Sequence, residues 1–151
     1  MKKIIFVCLG NICRSPMAEF VMKDIVDKAG LSHEFEIASA ATSTYEIGNP
    51  VYPPARQKLA EHGIDCKGKT ARQITKRDYD YYDYIIAMDK SNIRNLKNML
   101  SNDPQGKISL LMDYTSRPAD VADPWYTGDF QATWDDVSEG CKALLTFIMK
   151  K

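Results

Sequence analysis

Short apolar runs alternate with longer amphipathic segments along this chain of 151 residues. An uninterrupted apolar run of four to eight residues is typical of a strand buried on both faces of a parallel sheet. The pattern predicts four such strands: Ile4 to Val7, Phe35 to Ser39, Tyr84 to Met88 and Ile108 to Met112.

The segments between these strands have the spacing of amphipathic helices. The first helix is expected to begin with Ser15 near its N-cap and Pro16 in its first turn, and to stop at Gly30. Further helices are predicted from Pro54 to about Gly63, from a cap formed by Thr75 and Asp78, from a Ser91 cap through Leu100, and along the stripe Trp134, Val137, Cys141, Leu144, Leu145 and Ile148.

Strands that alternate with helices predict an α/β fold with a parallel sheet and helices on both of its faces. No repeat, linker or change of composition divides the chain, so we expect residues 1–151 to form a single domain. Ligands of such sheets bind beyond the carboxyl ends of the strands. The segment after the first strand is therefore the first candidate for a site.

Composition and charge narrow the class of protein. Lysine and arginine number 20, as do aspartate and glutamate, and this zero net charge argues against a nucleic-acid binder that works by bulk charge. No apolar run approaches the roughly 18 residues of a membrane span, and the apolar stretch near Met1 is too short for a signal peptide. We expect a cytoplasmic protein without membrane or nucleic-acid partners. The four cysteines and two histidines are too scattered to predict a metal site or a disulfide framework.

The loop after the first strand carries the strongest chemical signal. It runs Cys8-Leu9-Gly10-Asn11-Ile12-Cys13-Arg14-Ser15, from a buried strand into a helix N-terminus. Backbone N–H groups and the helix dipole favour an anion there, and Gly10 and Asn11 tolerate the left-handed backbone that a tight anion nest needs. Arg14 can clamp two oxygens of an oxyanion. The same positive field favours a thiolate, so Cys8 is a candidate nucleophile toward phosphorus.

Other interpretations of this loop are open. A cysteine after a strand is most often a small buried apolar residue, and a Gly-Asn pair is usually only a turn. The spacing of six residues from Cys8 to Arg14 at a strand-to-helix junction favours the catalytic interpretation instead. The Gly-Lys-Ser/Thr signature of a P-loop NTPase is absent.

The loop and its continuation, Cys8 through Glu19, resemble the signature of the low-molecular-weight protein tyrosine phosphatases. Three shorter segments resemble that family in the same order: Ala71-Arg72-Gln73-Ile74-Thr75, Met88-Asp89 with Ser91-Asn92, and Asp123-Pro124-Trp125-Tyr126. The expected sheet has the flavodoxin-like strand order 2-1-3-4, and no cofactor is expected.

Expulsion of a phenolate is helped by a carboxylic acid above the loop. Asp113, Asp120 and Asp123 all lie in the polar segment after the fourth strand, and the resemblance favours Asp123. Asp89 can pair with Arg14, or it can simply lead the helix that follows.

Further site residues come from the resemblance or from helix signals. Ser15 can donate to the Cys8 sulfur, cap the helix, or do both. The resemblance implies that Asn11 is held by Ser39 and His62, and that residues 9–13 surround the phosphate. It also implies that the pocket has an aromatic rim, formed by Tyr45, Trp125 and Tyr126.

The expected function is hydrolysis of phosphotyrosine in proteins and of small aryl phosphates through a cysteinyl-phosphate, with inorganic phosphate as product and weak inhibitor. The alternatives are an arsenate reductase, a protein-arginine phosphatase and a phosphate-binding module without turnover. An arsenate reductase needs two further cysteines close enough to pass on a disulfide, whereas Cys66 and Cys141 lie far apart in the sequence. A protein-arginine phosphatase typically has threonine where this chain has Ile12. The presence of Cys8, Arg14 and Asp123 together argues against a phosphate-binding module without turnover.

Two expectations depend on less common features of the chain. The Cys8–Cys13 spacing is compatible with reversible oxidation to a disulfide, although Cys13 can equally be a packing residue. Ala41 replaces a frequent glycine of the family pattern, and Tyr52-Pro53-Pro54 replaces an Asp-containing stretch, which changes the expected shape of the Tyr45 wall. The expected assembly is a monomer or a weakly self-associating chain.

Overall fold

Four parallel strands form the centre of the molecule, as the apolar runs predict. The computed structural model describes residues 1–151. The strands are β1 (Lys2–Cys8), β2 (Phe35–Ala41), β3 (Tyr84–Ala87) and β4 (Ile108–Leu110). Their order in the sheet is β2-β1-β3-β4 and every pair is parallel, which confirms the expected topology.

Helices cover both faces of this sheet. They are α1 (Arg14–Lys28), α2 (Pro53–Glu61), α3 (Lys76–Tyr81), α4 (Lys90–Met99), α5 (Pro124–Thr127) and α6 (Phe130–Met149). Short 3-10 turns occupy Ser32–Glu34 and Leu111–Tyr114. None of the helices is long and apolar enough to cross a membrane.

The core has two layers because successive residues of β1 point to opposite faces of the sheet. Ile4 and Phe6 pack with buried residues of α1, α2 and α6, whereas Ile5 and Val7 pack with residues of α3 and α4. All four side chains are fully buried. The central strand is thereby fixed from both sides, and its last residue, Cys8, is held at the edge where ligands bind in such folds.

Several predicted boundaries need correction. Ser91 does not cap α4: Asp89 does, accepting from Asn92 N at 2.7 Å. Ser15 lies inside the first turn of α1, and Cys13 occupies the N-cap. The fourth apolar run leaves the sheet after Leu110 because Leu111 and Met112 turn into the core as part of a 3-10 turn. The Thr75–Asp78 capping box is present as predicted.

Candidate active site

The loop between β1 and α1 wraps around the sulfur of Cys8. Asn11 N donates to Cys8 Sγ at 3.3 Å, and Ser15 Oγ lies 3.0 Å from the same sulfur. Cys8 is 3% exposed. Asn11 Nδ2 donates to Ser15 Oγ at 2.8 Å, which leaves the serine hydroxyl hydrogen available for the sulfur. When Cys8 is a thiolate it can only accept, so Ser15 is then the donor.

The two turn residues of the loop differ in their role. Asn11 has φ of 60°, in the left-handed region, as predicted. Gly10 does not have a positive φ, so of the two residues that tolerate left-handed backbone only Asn11 adopts it. A Cβ at Gly10 would lie 3.4 Å from Glu46 Cγ. The side chain of Glu46 therefore lies directly beside the loop at Gly10.

Asn11 is fixed by hydrogen bonds at both ends of its amide. Its Nδ2 also donates to Ser39 Oγ at 3.0 Å, and its Oδ1 accepts from Arg72 N at 3.2 Å. Asn11 is 1% exposed, so these bonds form without competition from water. They offset the cost of a left-handed backbone at a residue other than glycine.

His62 does not belong to this network, contrary to the expectation. Its ring stacks on Trp134 with centroids 3.8 Å apart and an angle of 6°, on the outside of the α2–α6 contact. The polar partners behind Ser39 are instead Glu19, whose Oε1 accepts from Ser39 Oγ at 2.6 Å, and Lys69, whose Nζ donates to Ser39 O at 2.8 Å.

Lys69 and Arg72 were missed by the sequence analysis because they lie in a charged stretch that is typical of a solvated face. Lys69 Nζ is 3.5 Å from Glu19 Oε1, and burial lowers the pKa of Lys69 although Glu19 opposes the shift. Arg72 makes two hydrogen bonds to Asp78, at 2.8 and 3.1 Å, and so anchors the backbone that binds Asn11. Two sequence signals lay near this anchor: the Thr75–Asp78 capping box and the segment from Ala71 to Thr75 that resembles the family.

Arg14 stands between two carboxylates. Its Nη1 donates to Asp89 Oδ2 at 2.7 Å and to Val121 O at 2.9 Å, and its Nη2 lies 3.5 Å from Asp123 Oδ2. Burial opposes the charge of Arg14, but Cys8 and the two carboxylates outweigh it and raise the pKa of the guanidinium. Asp89 therefore does both things considered for it: it pairs with Arg14 and caps α4.

Asp123 is held at the N-cap of α5, where its Oδ1 accepts from Trp125 N at 3.0 Å. The preceding loop is tied to the sheet, because Val121 N donates to Met88 O at 2.8 Å. Asp113 and Asp120 are exposed and do not line the pocket, whereas Asp123 does. Of the three aspartates considered, Asp123 is therefore the one that lines the pocket together with Cys8.

The pocket above the loop has a volume of about 270 Å³ and opens through an aromatic rim. Tyr45, Trp125 and Tyr126 are 77%, 52% and 79% exposed. The remaining lining consists of Cys8, Leu9, Gly10, Ile12, Cys13, Arg14, Glu46 and Asp123. Glu46 was not predicted, and Asn11 supports the loop from behind rather than lining the pocket.

The other cysteines are free thiols. Burial, with a smaller contribution from Cys8, raises the pKa of Cys13 to about 12. Burial also raises the pKa of Cys66 and of the fully buried Cys141. No group of three or more His, Cys, Asp and Glu side chains is arranged to hold a metal ion.

Both the sequence and the structure of this chain are similar to those of known proteins. The sequence model of a family described as low molecular weight phosphotyrosine protein phosphatase matches residues 3–151. The chain belongs to this family. It is thus a low molecular weight protein-tyrosine-phosphatase, which is a hydrolase, and the resemblance in the signature loop is confirmed.

Individual members of the low molecular weight phosphatase family are similar over their whole length. The low molecular weight protein-tyrosine-phosphatase YfkJ of Bacillus subtilis is 42% identical over 153 residues, which cover 100% of this chain and 98% of the relative. The crystal structure of YfkJ superposes with a TM-score of 0.96 and covers 99% of this chain and 96% of that one.

Two further solved structures of similar fold are named for different substrates. The low molecular weight protein tyrosine phosphatase SP-PTP of Streptococcus pyogenes is 46% identical, with a TM-score of 0.89 and coverage of 99% and 94%. The drosophila arginine phosphatase is 31% identical, with a TM-score of 0.88 and coverage of 98% of both chains. Proteins named for different phosphoryl substrates thus share this fold.

Proposed function

We propose that this phosphatase hydrolyses phosphotyrosine in proteins, and small aryl phosphates, through a cysteinyl-phosphate on Cys8. The observation that carries the proposal is the convergence of three groups on one pocket: the Cys8 sulfur, the Arg14 guanidinium and the Asp123 carboxyl. Names of relatives such as YfkJ, which include protein-tyrosine-phosphatase, support a phosphoprotein substrate.

In the first step the Cys8 thiolate attacks phosphorus in line, and the bond from phosphorus to the phenolic oxygen breaks. Arg14 and the backbone amides of residues 9 to 14 hold the three equatorial oxygens, where negative charge must be stabilised. Asp123 gives its proton to the departing phenolate. The flat ring of phosphotyrosine lies between the aromatic side chains of Tyr45, Trp125 and Tyr126.

In the second step a water molecule attacks phosphorus and Asp123, now a carboxylate, accepts a proton from that water. The sulfur leaves as a thiolate, which the Ser15 hydroxyl at 3.0 Å stabilises. Inorganic phosphate is released. Because it occupies the same loop, we expect phosphate to inhibit weakly.

Replacement of the nucleophile is the first test. Cys8→Ser should abolish hydrolysis of 4-nitrophenyl phosphate and of a phosphotyrosine peptide in the presence of a chelator, because the hydroxyl is a far weaker nucleophile. Cys66→Ser removes a buried thiol outside the pocket and serves as the control, which should retain activity. Turnover in Cys8→Ser comparable to that of the control would reject Cys8 as the nucleophile.

The role of Asp123 as general acid can be tested by changing the leaving group. Asp123→Asn should lower kcat/KM for phenyl phosphate by about 100-fold or more, within the usual range for loss of a general acid. The fall should be much smaller for 4-nitrophenyl phosphate, whose leaving group departs without a proton. Equal losses for both esters would assign Asp123 to a structural role.

A further inference from the structure

Tyr52 lies between two loops of the site and belongs to neither. One is the loop from Cys8 to Ser15, here called the phosphate loop, and the other is the loop that carries Asp123. It directly precedes α2 and is part of the Tyr52-Pro53-Pro54 stretch that departs from the family pattern. Its backbone N donates to Ile12 O at 2.9 Å, and its side chain packs on the small cluster of Ile12, Cys13 and Ala71. One side of Tyr52 is therefore fixed to the phosphate loop.

The other side of Tyr52 contacts the loop that carries Asp123. The rings of Tyr52 and Trp125 have centroids 4.8 Å apart and are tilted by 53°, and Phe130 follows at 6.1 Å with an angle of 28°. Tilted and offset aromatic pairs at such distances attract each other beyond their burial. Trp125 remains 52% exposed, so the contact with Tyr52 is made by a side chain about half of which faces water.

Trp125 is linked in turn to the carboxyl group of Asp123. Its backbone N–H donates to Asp123 Oδ1 at 3.0 Å, and α5, to which Trp125 belongs, has only four residues. So short a helix has little rigidity of its own. A shift of Trp125 is therefore expected to change the direction of the Asp123 carboxyl, whose Oδ1 this N–H binds.

We propose that Tyr52 is a positioning residue that holds Asp123 in register with Cys8 through its contact with Trp125. The inference rests on the proposed role of Asp123 as general acid. Because Tyr52 acts on the acid and not on the phosphate, its loss affects protonation of the leaving group more than recognition of the phosphoryl group. The hydroxyl of Tyr52 is not needed for this role, since the contact is made by the ring.

The test compares kcat/KM for phenyl phosphate and 4-nitrophenyl phosphate in four variants. Tyr52→Ala should lower the value for phenyl phosphate by about tenfold relative to that for 4-nitrophenyl phosphate, in the same direction as Asp123→Asn but less severely. Tyr52→Phe should restore the wild-type ratio. Phe147→Ala, which removes a comparable aromatic pair with Tyr114 on the far side of α6, is the control and should leave the ratio unchanged.

A second readout follows the contact itself. Trp125 and Trp134 are the two tryptophans of the chain, so Trp134→Phe leaves Trp125 as the only indole. In that background Tyr52→Ala should increase quenching of the fluorescence by acrylamide, whereas Tyr52→Phe should not. If Tyr52→Ala does not fold, Tyr52→Leu keeps most of the apolar volume and is expected to show the same changes.

Three results would overturn the inference. The first is an equal loss with both esters in Tyr52→Ala while Asp123→Asn discriminates between them, which would leave the proposed function intact. The second is a Tyr52→Phe variant as impaired as Tyr52→Ala. The third is an Asp123→Asn variant that does not discriminate, which would remove the proposed acid together with the inference.

Discussion

Ile12 presents a branched apolar side chain to the pocket and is 8% exposed. It offers no hydrogen bond to the guanidino group of phosphoarginine, whereas a threonine hydroxyl does, at about 1 kcal/mol for a neutral bond. Ile12→Thr should therefore raise kcat/KM for phosphoarginine relative to phosphotyrosine by about fivefold. Kinetic assays of both substrates measure this ratio.

Ile12→Val is the matched control because valine has the shape of threonine without its hydroxyl. An increase in Ile12→Val as large as that in Ile12→Thr would assign the effect to size. An unchanged ratio in both variants would place substrate selectivity in the aromatic rim of Tyr45, Trp125 and Tyr126.

Cys13 lines the same pocket as Cys8, so peroxide is expected to produce a reversible Cys8–Cys13 disulfide. Oxidation of Cys8 gives a sulfenic acid, and attack by the Cys13 sulfur then forms the S–S bond and releases water. Because the pKa of Cys13 is raised to about 12, its reactive thiolate is scarce at neutral pH and increases as pH rises. Recovery of activity by a reducing thiol should accordingly be greater after peroxide treatment at pH about 9 than at about 7.

Cys13→Ser should lose most of this recovery, and Cys66→Ser should keep it. Activity measured after peroxide and then thiol provides the comparison at both pH values. Equal recovery in wild type and Cys13→Ser would make Cys13 a packing residue only.

At the residue scale, the sequence predicts the residues within the loop after β1 better than the residues that support this loop from other segments. Cys8, Arg14 and Ser15 are adjacent in one motif, and the structure places them together. The Lys69–Glu19–Ser39 contacts join segments 20 and 30 residues apart, and no local spacing marks them. His62 was wrongly expected to hold Asn11, and Lys69 was assigned no role, because tertiary packing and not residue type decides which side chains reach Asn11 and Ser39.

At the scale of the elements, a helix cap was predicted correctly where only one candidate residue preceded the helix. Thr75 and Asp78 form the expected box, whereas Asp89, and not Ser91, caps α4. The apolar run from Ile108 to Met112 fits a strand or a buried turn equally well, so the end of β4 depended on how α6 packs. Such boundaries are decided by tertiary contacts that periodicity does not contain.

Gly140 determines how closely α6 approaches the 3-10 turn after β4. A Cβ at this position would lie 2.5 Å from Leu111 Cγ, and Leu111 is fully buried. Gly140→Ala should gain about 1 kcal/mol of helix propensity but lose more by overpacking, typically 1–3 kcal/mol. The free energy of unfolding, measured by urea denaturation, should therefore fall.

Ser138→Ala in the same helix is the control. The Ser138 hydroxyl is buried without a hydrogen-bond partner, so its removal should leave stability unchanged or increase it. A Gly140→Ala protein as stable as wild type would show that Leu111 can move aside without cost.

At the scale of the whole molecule, the site is assembled from segments that the sheet brings to one edge. The phosphate loop follows β1, Asp89 follows β3, and Asp123 comes from the loop after β4. Arg14 connects all three through Asp89, Val121 and Asp123. Alternating strands and helices limit the sheet to few topologies, and the family resemblance implied the strand order 2-1-3-4 among them, which the structure confirms. The placement of Tyr52 between the loops was not predictable, since it depends on the paths of two irregular segments.

Trapping of the phosphoenzyme tests the central claim most directly. Wild-type protein mixed with 4-nitrophenyl phosphate and quenched within the first turnovers should yield, by mass spectrometry, a phosphoryl group on the peptide that contains Cys8. Phosphorylation should persist in Cys66→Ser and disappear in Cys8→Ser together with turnover. Turnover without any phosphoryl group on Cys8, or a phosphoryl group on another residue that is unaffected by Cys8→Ser, would contradict the cysteinyl-phosphate mechanism.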